Sequence, residues 1–249
     1  MQKFNSDGVS IAFIDEGQGE PVLLIHGFAS NIRVNWAATG WTKTLLDAGF
    51  RVVAFDHRGH GESEKIYDPA RYSAPVMADD AARLLEHVGI ARANVIGYSM
   101  GARVAAFLAI QRPDLVKKVV FAGLAERMIS GVPGAEAIAE ALEAPEPQQV
   151  TDVGARSFRV FADQTKSDRR ALAACIRSSR VKIKPEALAA IRTPVLVVAG
   201  ELDDVSGKVE PLVELIPGAS GLTLPGKNHM SAVGDKTFKR EVVSFFKHL

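Results

Sequence analysis

Seven short apolar segments, spread along nearly the whole chain, constrain the fold more than any other feature. They are residues 9–14, 21–26, 51–55, 94–97, 118–123, 194–200 and 222–224. Most are continuous apolar runs rich in β-branched residues, without in/out alternation. A continuous run suits a strand covered on both faces, as strands inside a parallel sheet are. Apolar residues at helical spacing fill several of the intervals: 77–88, which ends near Gly89, then 102–110, 209–215 and 238–246. Alternating strand and helix predict an α/β fold with right-handed crossovers. The first two segments are joined by Glu16-Gly17-Gln18-Gly19-Glu20, a Gly-rich turn suited to a hairpin.

One interval breaks the alternation. Residues 125–184 contain no good strand; they are Ala- and Glu-rich and punctuated by Pro133, Pro145 and Pro147. Short helices are predicted at 135–143, 151–161 and 168–177, and one at 185–191 leads back to the sheet. This division predicts a helical lid, 125–184, inserted into a core made of residues 1–124 and 185–249.

Composition limits the partners. A chain of 26.7 kDa is expected to expose roughly 10,700 Å² when folded and to bury about 70% of its unfolded surface, enough for one large core. Lys plus Arg number 30 and Asp plus Glu 29, a net charge of +1. Such a balance supplies no long-range attraction for nucleic acid or an anionic membrane. The longest uncharged apolar runs, such as 119–125, fall far short of the ~18 residues that a span needs. No apolar signal core opens the chain, so a cytoplasmic location is the expectation. The single cysteine, Cys175, leaves no internal disulfide and no multi-cysteine metal site.

The chemistry concentrates at Gly97-Tyr98-Ser99-Met100-Gly101, which follows the apolar strand Asn94-Val95-Ile96 and precedes a helix. A strand-to-helix turn this tight admits only small flanking residues. It also projects the central side chain above the strand end, where the helix amides point. Ser99 is therefore the candidate nucleophile, and a serine hydroxyl needs a base. Of six histidines, His87 and His248 read as surface residues, and His57 and His60 as shaping the turn 56–63. His26 ends a strand. His229 alone sits in a loop just after the last strand, where sheet enzymes place catalytic groups. The base needs an acid, and Glu201-Leu202-Asp203-Asp204 follows the strand 194–200 on the same rim. The order Ser99, Asp203, His229 is one in which serine, acid and base recur.

These segments resemble the α/β-hydrolase fold superfamily, and a lidded serine hydrolase similar to carboxylesterases in particular. The resemblance rests on His26-Gly27-Phe28 after the third strand, Asp56–Ser63 after the fourth, Gly97–Gly101, Gly200–Asp203 and the His229 loop, in that order. It implies a mostly parallel sheet of about eight strands with the lid after the sixth. It implies Ser99 as nucleophile and His229 as base. Asp203 is implied as acid, with Asp204 or Glu126 as rivals. The implied oxyanion hole is the backbone N–H groups of Phe28 and Met100. No metal or organic cofactor is implied, and His57-x-x-His60 is better explained as the family turn than as a metal site.

Departures from related patterns narrow the reaction. The elbow holds serine where haloalkane dehalogenases and epoxide hydrolases carry aspartate. His-Gly-Phe differs from the His-Gly-Gly-Pro-Gly of proline iminopeptidases, and Met230 stands where many carbon–carbon-bond hydrolases show tryptophan. Hydroxynitrile lyases place a lysine just after the histidine, whereas Lys227 precedes it. Hydrolysis of a carboxylic ester of a small-molecule substrate is the leading expectation. Action on C–C, C–N or lactone bonds, or a ligand receptor with little turnover, are the alternatives. Phe28, Trp36, Leu124, Met128, Phe158, Phe161 and Met230 are candidate pocket residues, together with Met100, and they imply an apolar pocket for an uncharged group.

Overall fold

The computed structural model describes residues 1–248, and it begins with a strand that the apolar patterning hides. β1 (Gln2–Ser6) turns only Phe4 and Ser6 inward. It pairs antiparallel with β2 (Val9–Glu16) through the two-residue turn Asp7-Gly8, both with positive φ. That is the left-handed geometry a tight hairpin requires.

The chain continues through β3 (Pro21–Ile25), α1 (Trp41–Asp47), β4 (Arg51–Phe55), α2 (Ala74–His87), β5 (Ala93–Tyr98), α3 (Met100–Gln111) and β6 (Val116–Ala122). Next come α4 (Arg127–Ser130), α5 (Ala135–Glu143), α6 (Val153–Gln164), α7 (Arg169–Ser179) and α8 (Pro185–Ala189). The remaining elements are β7 (Val195–Gly200), α9 (Glu210–Leu215), β8 (Ser220–Leu224), α10 (His229–Ala232) and α11 (Lys236–Lys247). Among the described residues the strands form one eight-stranded sheet in the order β1-β2-β4-β3-β5-β6-β7-β8. β1 and β2 run antiparallel, and every pair from β4 to β8 is parallel.

The expected hairpin between the first two apolar segments is corrected by this order. β2 and β3 do not pair; β4 lies between them and bonds to both. The Gly-rich link instead steps over the start of β4, where Arg51 N–H donates to the Glu20 carbonyl at 3.0 Å. A Cβ at Gly19 would lie 2.3 Å from the Gly49 carbonyl oxygen. The glycines serve a crossing of two backbones, not a reversal.

The sheet feeds two cores, which is why its strands read as continuous apolar runs. Leu23, Ile25, Val53, Phe55, Val95, Val119 and Phe121 face α2, α3 and the helices between β6 and β7. Val22, Leu24, Val52, Ala54, Ile96 and Val120 face α1 and α11, against Trp41, Phe238 and Phe246. The accessible surface, 10625 Å², is close to the scaling value for one body. Of the helices between β6 and β7, α5, α6 and α7 pack chiefly on one another, α7 also on the turn Pro69–Tyr72, and α8 on α3 and α9. No helix among the described residues is long and apolar enough to cross a membrane.

One buried ion pair fixes α2 under β1. Arg58 donates from Nε and Nη2 to Asp80 at 2.8 and 2.7 Å, and Ser6 Oγ donates to the same carboxylate. Removing the acid leaves a guanidinium desolvated and unpaired. Asp80→Ala is therefore expected to lower unfolding free energy by about 3–5 kcal/mol, measured by urea denaturation. A loss near zero would mean that Arg58 finds another partner or reaches water.

Candidate active site

The strand order reverses at β3. The chain moves outward from β3 to β4, then crosses back to place β5 on the other side. The crevice above the C-terminal ends of β3 and β5 is where open α/β sheets bind ligands. The segment His26-Gly27-Phe28 leaves β3 at this point, and Ser99 leaves β5.

Ser99 adopts φ 56° and ψ −115° between β5 and α3, a sparsely populated conformation for a residue with a side chain. Close packing forces it. A Cβ at Gly97 would lie 2.2 Å from the Gly101 carbonyl oxygen, and one at Gly101 would lie 2.0 Å from that of Ile25. Helix α3 thus starts directly against both strands, and Ser99 is the apex. Its N–H donates to the Ala122 carbonyl at 2.7 Å, tying the turn to β6.

His229 Nε2 lies 3.1 Å from Ser99 Oγ, and His229 Nδ1 lies 2.9 and 3.0 Å from the two oxygens of Asp203. The Asp203 side chain is fully buried. Its Oδ1 accepts the N–H groups of Val205 and Ser206 at 3.1 and 2.9 Å, so the carboxylate is aimed before any ligand arrives. Asn228 caps α10, and the buried Tyr98 hydroxyl donates to the His229 carbonyl at 2.5 Å, fixing the loop. Burial raises the Tyr98 phenol pKa, with the Asp203 charge adding to it, so this donor keeps its proton. The rival acids stand elsewhere: Asp204 is exposed, and Glu126 accepts the Lys208 N–H.

The N–H groups of Phe28 and Met100 have no acceptor among the described residues. Both residues line the same cavity as Ser99. The Phe28 segment is held from behind. Asn35 Oδ1 accepts Gly27 N–H at 3.0 Å, and His26 Nδ1 lies 2.7 Å from Gly27 O. His26 Nε2 accepts His57 N–H at 3.0 Å, so the His26 proton sits on Nδ1 and is donated to Gly27. His57 and His60 pack against His26 with ring centroids 4.6 and 5.3 Å away.

This triple histidine cluster is fully buried and neutral. Burial pulls His26 down to about 4 and His60 down to about 3, and pulls His57 well below its ordinary value. The unfolded chain takes up these protons near pH 6.5, whereas the folded chain does not. Stability from the cluster is thus complete above about pH 6.5 and is lost as pH falls toward 4 and 3, at about 1.4 kcal/mol per pH unit per histidine. The slope of unfolding free energy against pH between 6 and 4.5 is expected to fall by about one proton in His60→Gln. An unchanged slope would mean that His60 titrates alike in both states.

The cavity beside Ser99 has a volume of about 30 Å³, with Phe28, Met100, Leu124 and Phe158 on its wall. It adjoins an outer groove of about 430 Å³, with Val132, Phe158, Arg180 and Val205 common to both. Four residues expected in the pocket lie outside it. Trp36 packs against Trp41 in the core on the opposite face of the sheet. Met128 is buried in the core beneath the helices, and Phe161 packs on its edge. Met230 is 61% exposed on the first turn of α10. Conversely, Arg103, Ser179 and Arg180 line the cavity without having been singled out. Arg103 had a legible signal, a cation one helical turn past Ser99 inside an otherwise apolar run. Ser179 and Arg180 had none, because only the tertiary path of α7 brings them there.

The loop holding Asp203 is also bonded to the start of the helical insertion. Ala125 and Arg127 donate to the Ser206 carbonyl at 3.0 and 3.1 Å, and Glu126 donates to Lys208 at 3.0 Å.

Comparison with known proteins fits this architecture. Residues 20–150 match the model of the alpha/beta hydrolase fold family. A non-heme chloroperoxidase from Kitasatospora aureofaciens is 38% identical over 98 residues, 38% of this chain and 33% of that protein. A 2-hydroxymuconate semialdehyde hydrolase from Pseudomonas sp. is 34% identical over 118 residues, 47% of this chain and 41% of that protein. The matches thus span less than half the length of these curated relatives. An esterase from Exiguobacterium antarcticum superposes with a TM-score of 0.82 at 21% identity, covering 97% of each chain.

Proposed function

This chain belongs to the α/β-hydrolase fold family, and from that premise we propose that it is a serine hydrolase acting on carboxylic esters through an acyl-enzyme. The observation that carries the proposal is the continuous relay from Ser99 Oγ through His229 to Asp203, at 3.1 and 2.9 Å. Asp203 holds the His229 proton on Nδ1, which leaves the Nε2 lone pair to take the Ser99 proton as Oγ attacks the substrate carbonyl. The carbonyl oxygen gains the negative charge and is received by the N–H groups of Phe28 and Met100. His229 then gives the proton to the leaving oxygen, the C–O bond breaks, and water hydrolyses the acyl-Ser99 ester by the same route. Every group the steps need belongs to this chain. The helical insertion, residues 125–184, acts as a lid whose inner side completes the pocket.

A chain-length series of p-nitrophenyl esters tests the reading. Sustained turnover, with an optimum among short acyl chains because of the small cavity, is the expected outcome. A single stoichiometric burst without further turnover would favour a ligand receptor on the same fold. Absence of both burst and turnover across the series, and with an ester bearing a free carboxylate as well, would refute ester hydrolysis.

A further inference from the structure

The cavity beside Ser99 carries positive charge that the proposed steps do not use. Arg103 lies on α3 four residues beyond Ser99, about 6 Å along the axis, and is only 2% exposed. Its Nη1 donates to the Val181 carbonyl at 2.6 Å, whereas Nε and Nη2 have no acceptor among the described residues. Arg180, just past α7, donates from Nη1 to the carbonyls of Val132 and Pro133. Neither guanidinium has a carboxylate within 4.0 Å among the described residues, although both line the cavity. The hydroxyl of Ser179, also on its wall, is buried without a hydrogen-bond partner, with the Cys175 thiol beside it.

Arg180 is half-buried, and the fully buried Arg103 departs from how the molecule treats its other buried arginines. Arg58 is paired with Asp80 at 2.7 Å and Arg159 with Asp163 at 2.9 Å. Burial pulls Arg103 and Arg180 down to about 10, and Arg180 adds to the effect on Arg103. Both remain cations at neutral pH. A desolvated cation such as Arg103 without a counter-charge is costly, and the half-buried cation of Arg180 facing the same cavity adds to that cost. A carboxylate relieves both, because each guanidinium offers it a planar pair of N–H donors.

We propose that the substrate is an ester or lactone bearing a second, free carboxylate, which docks between Arg103 and Arg180 with Ser179 as an added donor while Ser99 faces the scissile carbonyl. This rests on the serine hydrolase reading above and replaces the expectation of an uncharged substrate. Arg180 belongs to both the outer groove and the inner cavity, so an anion that enters past Arg127, Asp152 and Asp204 of that groove meets Arg180 before Arg103. The space beside Ser99 is only about 30 Å³, so the substrate enters by turning Phe158 aside while Arg180 stays to receive its carboxylate.

The test compares two esters with five-carbon acyl chains, mono-p-nitrophenyl glutarate, which is anionic, and p-nitrophenyl pentanoate, which is neutral. The wild type is expected to favour the glutarate ester in kcat/KM by about 10- to 100-fold. Arg103→Gln and Arg180→Gln are each expected to reduce that preference ratio at least tenfold. Raised salt is expected to narrow it. A merely structural arginine would lower both esters alike and leave the ratio intact, which would overturn the proposal. So would a wild type that prefers the pentanoate. Should Arg103→Gln fail to fold, Arg180→Gln and the wild-type ratio decide. Labelling of Ser99 by a fluorophosphonate separates the two readings. Labelling with a neutral-ester preference refutes only the anion site, whereas absence of both labelling and turnover refutes the hydrolase. In that last case thermal stabilisation by glutarate, absent with its neutral diamide and lost in Arg180→Gln, supports the anion site; no stabilisation refutes it.

Discussion

Ser99→Ala is expected to lower kcat for any ester the protein turns over by about 10⁴- to 10⁶-fold, with KM changed little. The loss falls on kcat because the hydroxyl forms a bond only after the substrate is bound. The cavity wall and the Phe28 and Met100 N–H groups remain, so the variant keeps a residue of activity above the uncatalysed rate. Folding is not at stake. Alanine adds no bulk at the apex, and the φ of 56° is imposed by the packing at Gly97 and Gly101, not by the serine itself. Steady-state hydrolysis by matched preparations, with circular dichroism to check the fold, decides the matter. Activity within tenfold of wild type would remove Ser99 from the mechanism.

Asp203→Asn is expected to cost about 10⁴-fold in kcat while the loop keeps its shape. The direction of the effect follows from two backbone donors. Val205 and Ser206 N–H both point at Oδ1, so the carboxamide oxygen of asparagine settles there. Its NH₂ then occupies the Oδ2 position, 2.9 Å from His229 Nδ1, and donates to that nitrogen. The histidine proton is driven to Nε2, the atom that must receive the proton of Ser99. Proton NMR of the imidazole should register the change of tautomer alongside the fall in rate. A rate within tenfold of wild type would mean that Asp204 or water can serve as the acid.

Much of this was legible in the sequence because several signals are local. A continuous apolar strand, a Gly-flanked serine and a helix start fall within a few residues of one another around Ser99. The helix at 135–143 was readable to its ends for the same reason. What escaped the sequence depended on tertiary context. β1 was hidden because an edge strand needs only Phe4 and Ser6 on its inner side. The supposed hairpin failed because β4, a later segment, is inserted between its arms. Trp36 and Met128 were misassigned because an apolar side chain carries no mark of which of two cores it enters. Arg103 and Arg180 were passed over because isolated cations usually read as surface residues, and only the path of α7 brings them together.

The three hydrogen bonds between residues 125–127 and 206–208 have a mechanical consequence. They rivet the root of the helical layer to the loop that carries Asp203. A layer swinging open from that root would act as a lever on the carboxylate and pull it from His229. The machinery stays aligned during entry only if the root stays still. The give must then come further out, beyond Ser130, or from single side chains at the mouth. The same fastening makes the root a channel in the other direction, through which strain in the helices can reach the charge that orients the base.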